Sequence, residues 1–448
     1  MSIIVAGALA LLLAVLGLAL DAGRGYMIKA KLDAAVDGAA IAAGQSVTRG
    51  TNQTTQTASA QQAAKAFFAA NFPPGYLGSS VTLATPSVAF ATDGTVTIGI
   101  AAQAEVPTTL TQLLGFNVLK VATTSESVRR DLDMAFVVDT TTSMNSTSVQ
   151  KAVRTSSVDF LNNFDVTSDR VALMHFATGT VVDVPFKAGN ARGFDRTAMT
   201  NTINGYSFSG NTNSSEALWN ARWQLNHVIT QPSSLRVIVF FSDGAPNSFS
   251  STIPQTSSAC TSNTGTLTSS DDPPGGPNQN DNPGGLYRLG VQTSQSISSS
   301  CTSSTAAMVD RLPDNYNAHA ASEPSVTFPV VTNSPRVVTK DMNGASYQVR
   351  YQNVNRASRN LLEAMAAQAR AEGIFVFALG YGPLLTVGKG ADNEKGEDIL
   401  KCIANVADGP SRCYNPKQPV GVYCYAATTD DLKPCYSQLA SAILRISK

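Results

Sequence analysis

Residues 135–144 read AFVVDTTTSM: an apolar, strand-like run from Ala135 to Val138 that gives way to an acid and then to hydroxyls. Asp139 stands at the carboxyl end of the run, and Thr141 and Ser143 follow two and four residues on. Further along, Val237 to Phe241 is a second apolar run, and Asp243 in FFSDGAPN stands in the same relation to it. Between the two, SGNTNSSEA (residues 209–217) carries Thr212. Two carboxylates and three hydroxyls, with no thiol or imidazole nearby, form a hard oxygen set that suits Mg²⁺, Mn²⁺ or Ca²⁺ and not zinc or copper. In an open, mostly parallel sheet, the loops at the carboxyl ends of the strands converge on one crevice. The five residues together therefore predict a doubly wound α/β sheet with a cation site at its carboxyl edge. Taken singly, DTTTSM also reads as a helix start capped by Ser143 or Ser146, and SDG as a plain turn; it is the combination that carries the metal reading.

The surrounding pattern fits such a sheet. Val149, Ala152, Val153, Phe160, Leu161 and Phe164 share one face of a helix, the spacing of a helix packed on a sheet. Val171 to Phe176 and Val181 to Phe186 read as strands, and Trp219 and Trp223 fall one turn apart on a helix after Thr212, where a core role is expected. Ala357 to Glu372 reads as a helix closed by Gly373, with Ile374 to Leu379 as the next strand. The alternation of helix and buried strand argues for a doubly wound sheet.

One stretch breaks the rhythm. From Pro246 to about Asn355 the chain is rich in Ser, Thr, Pro, Gly and Asn where a short loop would suffice. Loops of that length in a compact domain are functional, separately folded or disordered. Within it, Arg336 to Lys340 and Ser346 to Tyr351 flank Asn343-Gly344, a hairpin signal. Because the insertion leaves directly after Asp243, it must begin on the metal face. It is expected to shape partner choice or cover the ion, with Asp271, Asp272 or Asp281 as internal ligands; a decorated loop stapled by Cys260 to Cys301 is the alternative.

The amino-terminal end carries a different signal. Ser2 to Leu20 is a continuous apolar run without a charge, and at about 1.5 Å per residue it just spans a roughly 30 Å hydrocarbon core. No basic n-region precedes it and no clear cleavage site follows, so it reads as an anchor rather than a removed leader. Arg24, Lys29 and Lys31 after the run argue for a cytoplasmic body. Against them stand six cysteines, Cys260, Cys301, Cys402, Cys413, Cys424 and Cys435, an even set that points to disulfides and an oxidising compartment. Spacing suggests the pairs Cys402 with Cys413 and Cys424 with Cys435. The low charged fraction, 14%, also suits an extracytoplasmic body. Beyond the run comes an Ala-rich helix with Ala34, Gly38 and Ala42 at four-residue spacing, which lets another helix approach closely and would serve a homo-oligomer. Residues 46–128 read as a small α+β stalk: a helix from Ala58 to Phe72 stopped by Pro73 and Pro74, then strands at Val81 to Ala91, Thr95 to Val106 and Val118 to Val128.

Two resemblances follow from these motifs. Residues 129–448 resemble a von Willebrand factor A domain, whose metal-ion-dependent adhesion site has the pattern DxSxS, then Thr, then Asp; Thr141 stands here for the first serine and keeps its hydroxyl. The resemblance implies that Thr141 and Ser143 bind a divalent cation, Mg²⁺ first, with Thr212, Asp139 and Asp243 direct or through water, and that a protein partner supplies an acidic residue. Residues 1–45, with VPTTLTQLLGFNVLKVATTS further on, resemble TadG-like proteins of the tight-adherence (Flp) pilus assembly system, although the basic residues usual before that anchor are absent. The implied protein is a single-pass component of a bacterial inner membrane with its body in the periplasm, engaging pilus components. The alternatives are a structural subunit of a surface oligomer or filament with an empty site, and a metal-dependent adhesin for external ligands. An enzyme is not expected: HExxH, GxSxG and phosphate-cradling glycine motifs are missing, and His175, His227 and His319 are scattered. A formal net charge of zero with no basic stripe argues against nucleic acid.

Overall fold

The computed structural model describes residues 2–47, 53–91, 95–129, 131–189, 191–230, 232–233, 235–253, 264–271, 284–297, 311–319, 323, 326–341 and 345–446. The chain divides into two compact units, Met1–Asp131 with Ser447–Lys448, and Leu132–Ile446. Cys260, Cys301, Asp272, Asp281 and the Asn343-Gly344 pair lie outside the described residues.

In the first unit, α1 (Ser2–Ser46) and α2 (Gln53–Asn71) pack on an antiparallel sheet. Its central strand β3 (Val96–Pro107) alternates buried and partly exposed side chains, as a half-covered sheet requires. β4 (Val118–Arg129) pairs along one edge of β3. Along the other edge lie β1 (Ser80–Leu83) and β2 (Ser87–Phe90), end to end. The predicted run Val81 to Ala91 is thus two strands, broken around Pro86, which has no N–H for a ladder. Ile28, Leu32, Ala35, Val36, Ala39 and Ala43 of α1 meet Ala60, Ala64 and Phe68 of α2 in the core. Gly38 does allow a close approach, but to the chain's own α2: a Cβ there would lie 2.3 Å from Phe67 Cε1. Ala34 is exposed. Ser2–Leu20 forms the first part of α1; among the described residues no helix is long and apolar enough to cross a membrane.

The second unit is built on β5 (Leu132–Asp139), β6 (Arg170–Phe176), β7 (Thr180–Val184), β8 (Leu235–Ser242), β12 (Phe375–Tyr381) and β15 (Tyr423–Ala426). The sheet order is β15-β12-β8-β5-β6-β7, parallel throughout except for the edge strand β7. Helices cover both faces, giving two cores. On one side α3 (Thr147–Leu161), α4 (Arg196–Asn204) and α8 (Thr429–Ile446) close over Met134, Phe136 and Val138. On the other, α5 (Ser214–Trp223), α6 (Tyr347–Ala371) and α7 (Gly396–Ala404) close over Ala135, Val137 and Ile238. The predicted mostly parallel α/β sheet is therefore present, with one antiparallel edge. Cys402 is bonded to Cys413 and Cys424 to Cys435, the pairs that the spacing suggests.

The described residues of the insertion form secondary structure of their own. β9 (Ser248–Thr252), β10 (Thr264–Thr268) and β11 (Gly284–Tyr287) form an antiparallel sheet of their own, and β13 (Gly388–Lys389) pairs with β14 (Glu394–Lys395) in a short ribbon beyond α6. The expected hairpin is overturned on its second arm: Ser346 is the N-cap of α6, and Tyr347 onward is helix. Tyr351, Val354, Ala357 and Leu361 are all buried at three- and four-residue spacing, so helical burial outweighs the local turn signal. The tryptophans meet the expected core role in part, with Trp219 packed against the core at its edge. Trp219 and Trp223 are only partly buried and stack on each other at 5.1 Å, with His319 of the insertion on Trp219 at 3.6 Å and His227 on Trp223 at 3.7 Å. Beneath the stack, the buried Glu216 accepts from His319 Nε2 at 2.6 Å and from Tyr316 at 2.7 Å, fastening the insertion to α5.

Candidate metal centre

Register places the two acids side by side. β5 and β8 are parallel neighbours with Val138 opposite Phe241, so the next pair is Asp139 and Ser242, and Asp243 follows as the chain leaves the sheet. Ser242 Oγ donates to Asp139 Oδ2 at 2.6 Å, and the Thr141 N–H donates to Oδ1 at 2.9 Å. Ser143 Oγ donates to Asp243 Oδ1 at 2.9 Å, while Thr141 Oγ1 lies 3.0 Å from Ser143 Oγ and 3.4 Å from Asp243 Oδ1. A short helical turn, Thr142–Met144, aims these hydroxyls back across the strand ends, after which Ser146 caps α3 by accepting from the Val149 N–H. The capping reading and the ligand reading of DTTTSM thus fall on different residues.

Thr212 completes the set. It lines, with Thr141, Ser143, Asn247, Asp271 and Ser294, one cleft of about 480 Å³. Its N–H donates to Asn247 Oδ1 at 2.8 Å, and its carbonyl accepts from the Asn247 and Ser248 N–H groups at 3.0 and 3.2 Å. All five predicted residues therefore gather at one place. Three supporting residues were not anticipated. Ser242 holds Asp139, Asn247 ties Thr212 to the insertion through Asp271 Oδ2 at 3.2 Å, and the buried Gln292 donates to the carbonyls of Thr140, Ser207 and Ser209 at 2.9–3.0 Å. Ser242 was within reach of the sequence, as the residue preceding the acid on a buried strand. Asn247 and Gln292 carried no signal, because their partners are distant in the chain. Of the expected internal ligands, Asp271 is at the cleft.

The electrostatics are those of an anionic hole. Burial pushes Asp139 up to about 6, against the hydrogen bonds from Ser242 and Thr141 that favour its charge. Burial, then the neighbouring Asp139 carboxylate, raises Asp243 well above the usual carboxylate range, and Asp271 adds to it. Two other buried acids show the contrast: Asp133 has Arg170 at 3.1 Å and Glu216 has His319. Among the described residues, no Lys, Arg or His pairs with Asp139 or Asp243. Two desolvated carboxylates without a counter-charge, faced by hydroxyls and backbone N–H groups, fit a hard divalent cation by their donor chemistry. A second acid and sulfur grouping, Glu363 with Cys402 and Cys413, is no metal site, since its sulfurs are bonded to each other.

The family model of the von Willebrand factor type A domain matches residues 133–284, a span that holds all five oxygen-bearing residues, so the chain carries such a domain. Among solved structures, it is similar to the vWF domain of the type V pili tip protein Mfa5 from Porphyromonas gingivalis, at 14% identity and a TM-score of 0.40, covering 72% of this chain and 98% of that one. The PilB minor pilin from Streptococcus sanguinis is 12% identical with a TM-score of 0.39, covering 83% and 79%. The pilus adhesin SpaC from Lactobacillus rhamnosus GG is 14% identical with a TM-score of 0.40, covering 82% and 34%. No curated protein matches the chain.

Proposed function

We propose that this von Willebrand factor type A domain is a cation-dependent docking module, which holds a divalent ion over β5 and β8 and uses it to capture an acidic side chain of a protein partner. The observation that carries the reading is the pair Asp139 and Asp243: two buried acids on adjacent strand ends, linked through Thr141, whose N–H donates to Asp139 while its hydroxyl and that of Ser143 meet Asp243, and lacking any cationic partner among the described residues. Thr141, Ser143 and Thr212 would offer oxygens to the ion, and Asp139 and Asp243 would neutralise it directly or through water. Mg²⁺ is the first choice, with Mn²⁺ and Ca²⁺ admitted by the same donors. The ion, once held, supplies a positive charge that a carboxylate can bridge; the protein's part is to fix the hydroxyls and keep the acids dry. This is binding chemistry and not catalysis.

The setting of the module belongs to the same proposal. The apolar run Ser2–Leu20 anchors the chain in a bacterial inner membrane, and the body lies in the periplasm, a compartment suited to the Cys402–Cys413 and Cys424–Cys435 bonds. With the TadG-like character of the amino-terminal motifs, the favoured partner is a component of a pilus or its assembly machinery.

Isothermal titration of the protein with Mg²⁺, Mn²⁺ and Ca²⁺, beside its Asp139→Ala and Asp243→Ala variants checked for fold by circular dichroism, tests the reading. Saturable binding lost in both folded variants is expected. Binding that persists in both, or a wild type that takes up no ion even with an acidic peptide present, would refute it.

A further inference from the structure

The sequence motifs DAGR at residues 21–24 and PTTLTQLLGF at residues 107–116 take no part in the cation site, yet they meet in the first unit. Asp21 is the first charged residue after the apolar run, and it is buried. Its Oδ1 accepts from the N–H and hydroxyl of Thr109 at 3.0 and 2.6 Å. Its Oδ2 accepts from the Leu110 and Thr111 N–H groups at 3.2 and 3.0 Å and from the Thr111 hydroxyl at 2.8 Å. One turn on, Arg24 donates to the carbonyls of Leu77 and Pro107. The loop is thereby strapped along α1. A Cβ on Gly17 would lie 2.5 Å from Leu110 Cβ, and one on Gly25 would lie 2.3 Å from Leu119 Cδ2. The loop thus reaches back beside the last turn of the apolar run, not merely up to its end.

Its composition matches that depth. Thr108 to Leu119 contains no charged residue; the first, Lys120, pairs with Glu105 on β3. Phe116 is 69% exposed and Val118 47%, and Leu16, Leu18 and Leu20 of α1 are exposed as well. The loop's backbone is also turned inward: besides the groups taken by Asp21, the Thr108 N–H bonds to Asn117 O, Gly115 N–H to Gln112 O and Phe116 N–H to Thr111 O. Irregular backbone at membrane depth needs such internal partners, because the lipid offers none. We propose that the Thr108–Asn117 loop, with Val118 at the start of β4, is an interfacial membrane contact, seated with Phe116 and Val118 in the lipid surface and locked at that level by Asp21. The occupant is lipid rather than a protein partner because the loop lies against the uncharged run at Gly17, and Phe with aliphatic side chains makes up the buried face of interfacial segments. It rests on the anchor reading above, and it would fix the height and tilt of the first unit on the bilayer.

The test uses the full chain in phosphatidylcholine vesicles brominated near the top of the acyl chains, with Phe116→Trp, Val118→Trp and, in the run itself, Leu12→Trp. The emission of Trp219 and Trp223 in the wild type is subtracted. A lipid-seated loop predicts that the indoles introduced at 116 and 118 lose roughly half their emission relative to unbrominated vesicles, as residues at the interfacial level should. Adding Asp21→Ala should relieve that quenching. If the indole at 12 is quenched and those at 116 and 118 are not, the loop proposal fails while the anchor stands. If none is quenched, the anchor fails and takes the loop proposal with it.

Discussion

In EDTA, the second unit should lose stability as pH rises towards neutrality. Burial raises Asp139 from an ordinary 3.8 to about 6 in the folded state. For an acid whose folded value lies above its unfolded one, folding is least penalised below about 4, where both states hold the proton. As pH climbs through 6, the unfolded chain has already ionised and the folded chain must follow at a cost. A difference of about 2 units corresponds to about 3 kcal/mol by pH 7 from Asp139 alone, and Asp243, raised for the same reason, acts in the same direction. The readout is built in, because the chain's two tryptophans, Trp219 and Trp223, both lie on α5 of this unit. Urea unfolding followed by their fluorescence, in EDTA at about pH 5, 6 and 7, measures the slope, and Asp139→Asn isolates the contribution of that carboxyl. Glu216, Glu372 and Glu394, which are held below their usual range, contribute with the opposite sign but mainly at more acidic pH. Mg²⁺ should flatten the slope by stabilising the ionised pair, adding about 2.7 kcal/mol at a hundred times its dissociation constant. Equal pH slopes for the wild type and Asp139→Asn in EDTA would refute the argument.

Other consequences are simpler. Gln292→Ala should cost about 2 kcal/mol in the same urea assay, since it removes the amide donor that the carbonyls of Thr140, Ser207 and Ser209 share, of which Thr140 keeps the Ser209 N–H, and should weaken Mn²⁺ binding by titration; unchanged values would mean that the insertion does not brace the cleft. Arg222→Met leaves Glu323 and Glu372 without their shared guanidinium, held at 2.6 Å by the first, and should cost about 3–5 kcal/mol. Replacing Cys402 and Cys413 by Ser opens an 11-residue separation and should lower stability by roughly 3 kcal/mol, with dithiothreitol having no comparable effect at that pair in the double variant.

The candidate site was unusually legible. A cation needs oxygens delivered by loops that leave neighbouring strands, so its requirements are written as acids and hydroxyls just after apolar runs, and Asp139, Thr141, Ser143, Thr212 and Asp243 could be collected by eye. What held them was not legible. Ser242 looks like any strand-end serine until the β5–β8 register sets it against Asp139, and Gln292 reads as insertion filler until its amide is found among the carbonyls of Thr140, Ser207 and Ser209. The misread hairpin shows the limit from the other side. An Asn-Gly pair is a strong local signal, but Tyr351 and Val354 are buried in helical register with Leu361, and that burial carries α6 back to Tyr347. Likewise the sequence singles out Ala34, Gly38 and Ala42 on the Ala-rich helix, whereas packing buries Ala35, Ala39 and Ala43 and, of the first three, brings Gly38 against Phe67 of α2.

The sequence by itself determined the period of each element, the hard-oxygen chemistry of the site and the uncharged run at the amino terminus, because each is expressed within a few residues of chain. Tertiary structure decided which polar groups are desolvated, which carboxylates go without a counter-charge, and that Asp21 binds a loop beginning at Thr109. Those depend on contacts between residues far apart in the chain, where burial rather than residue type sets the energy of a charge.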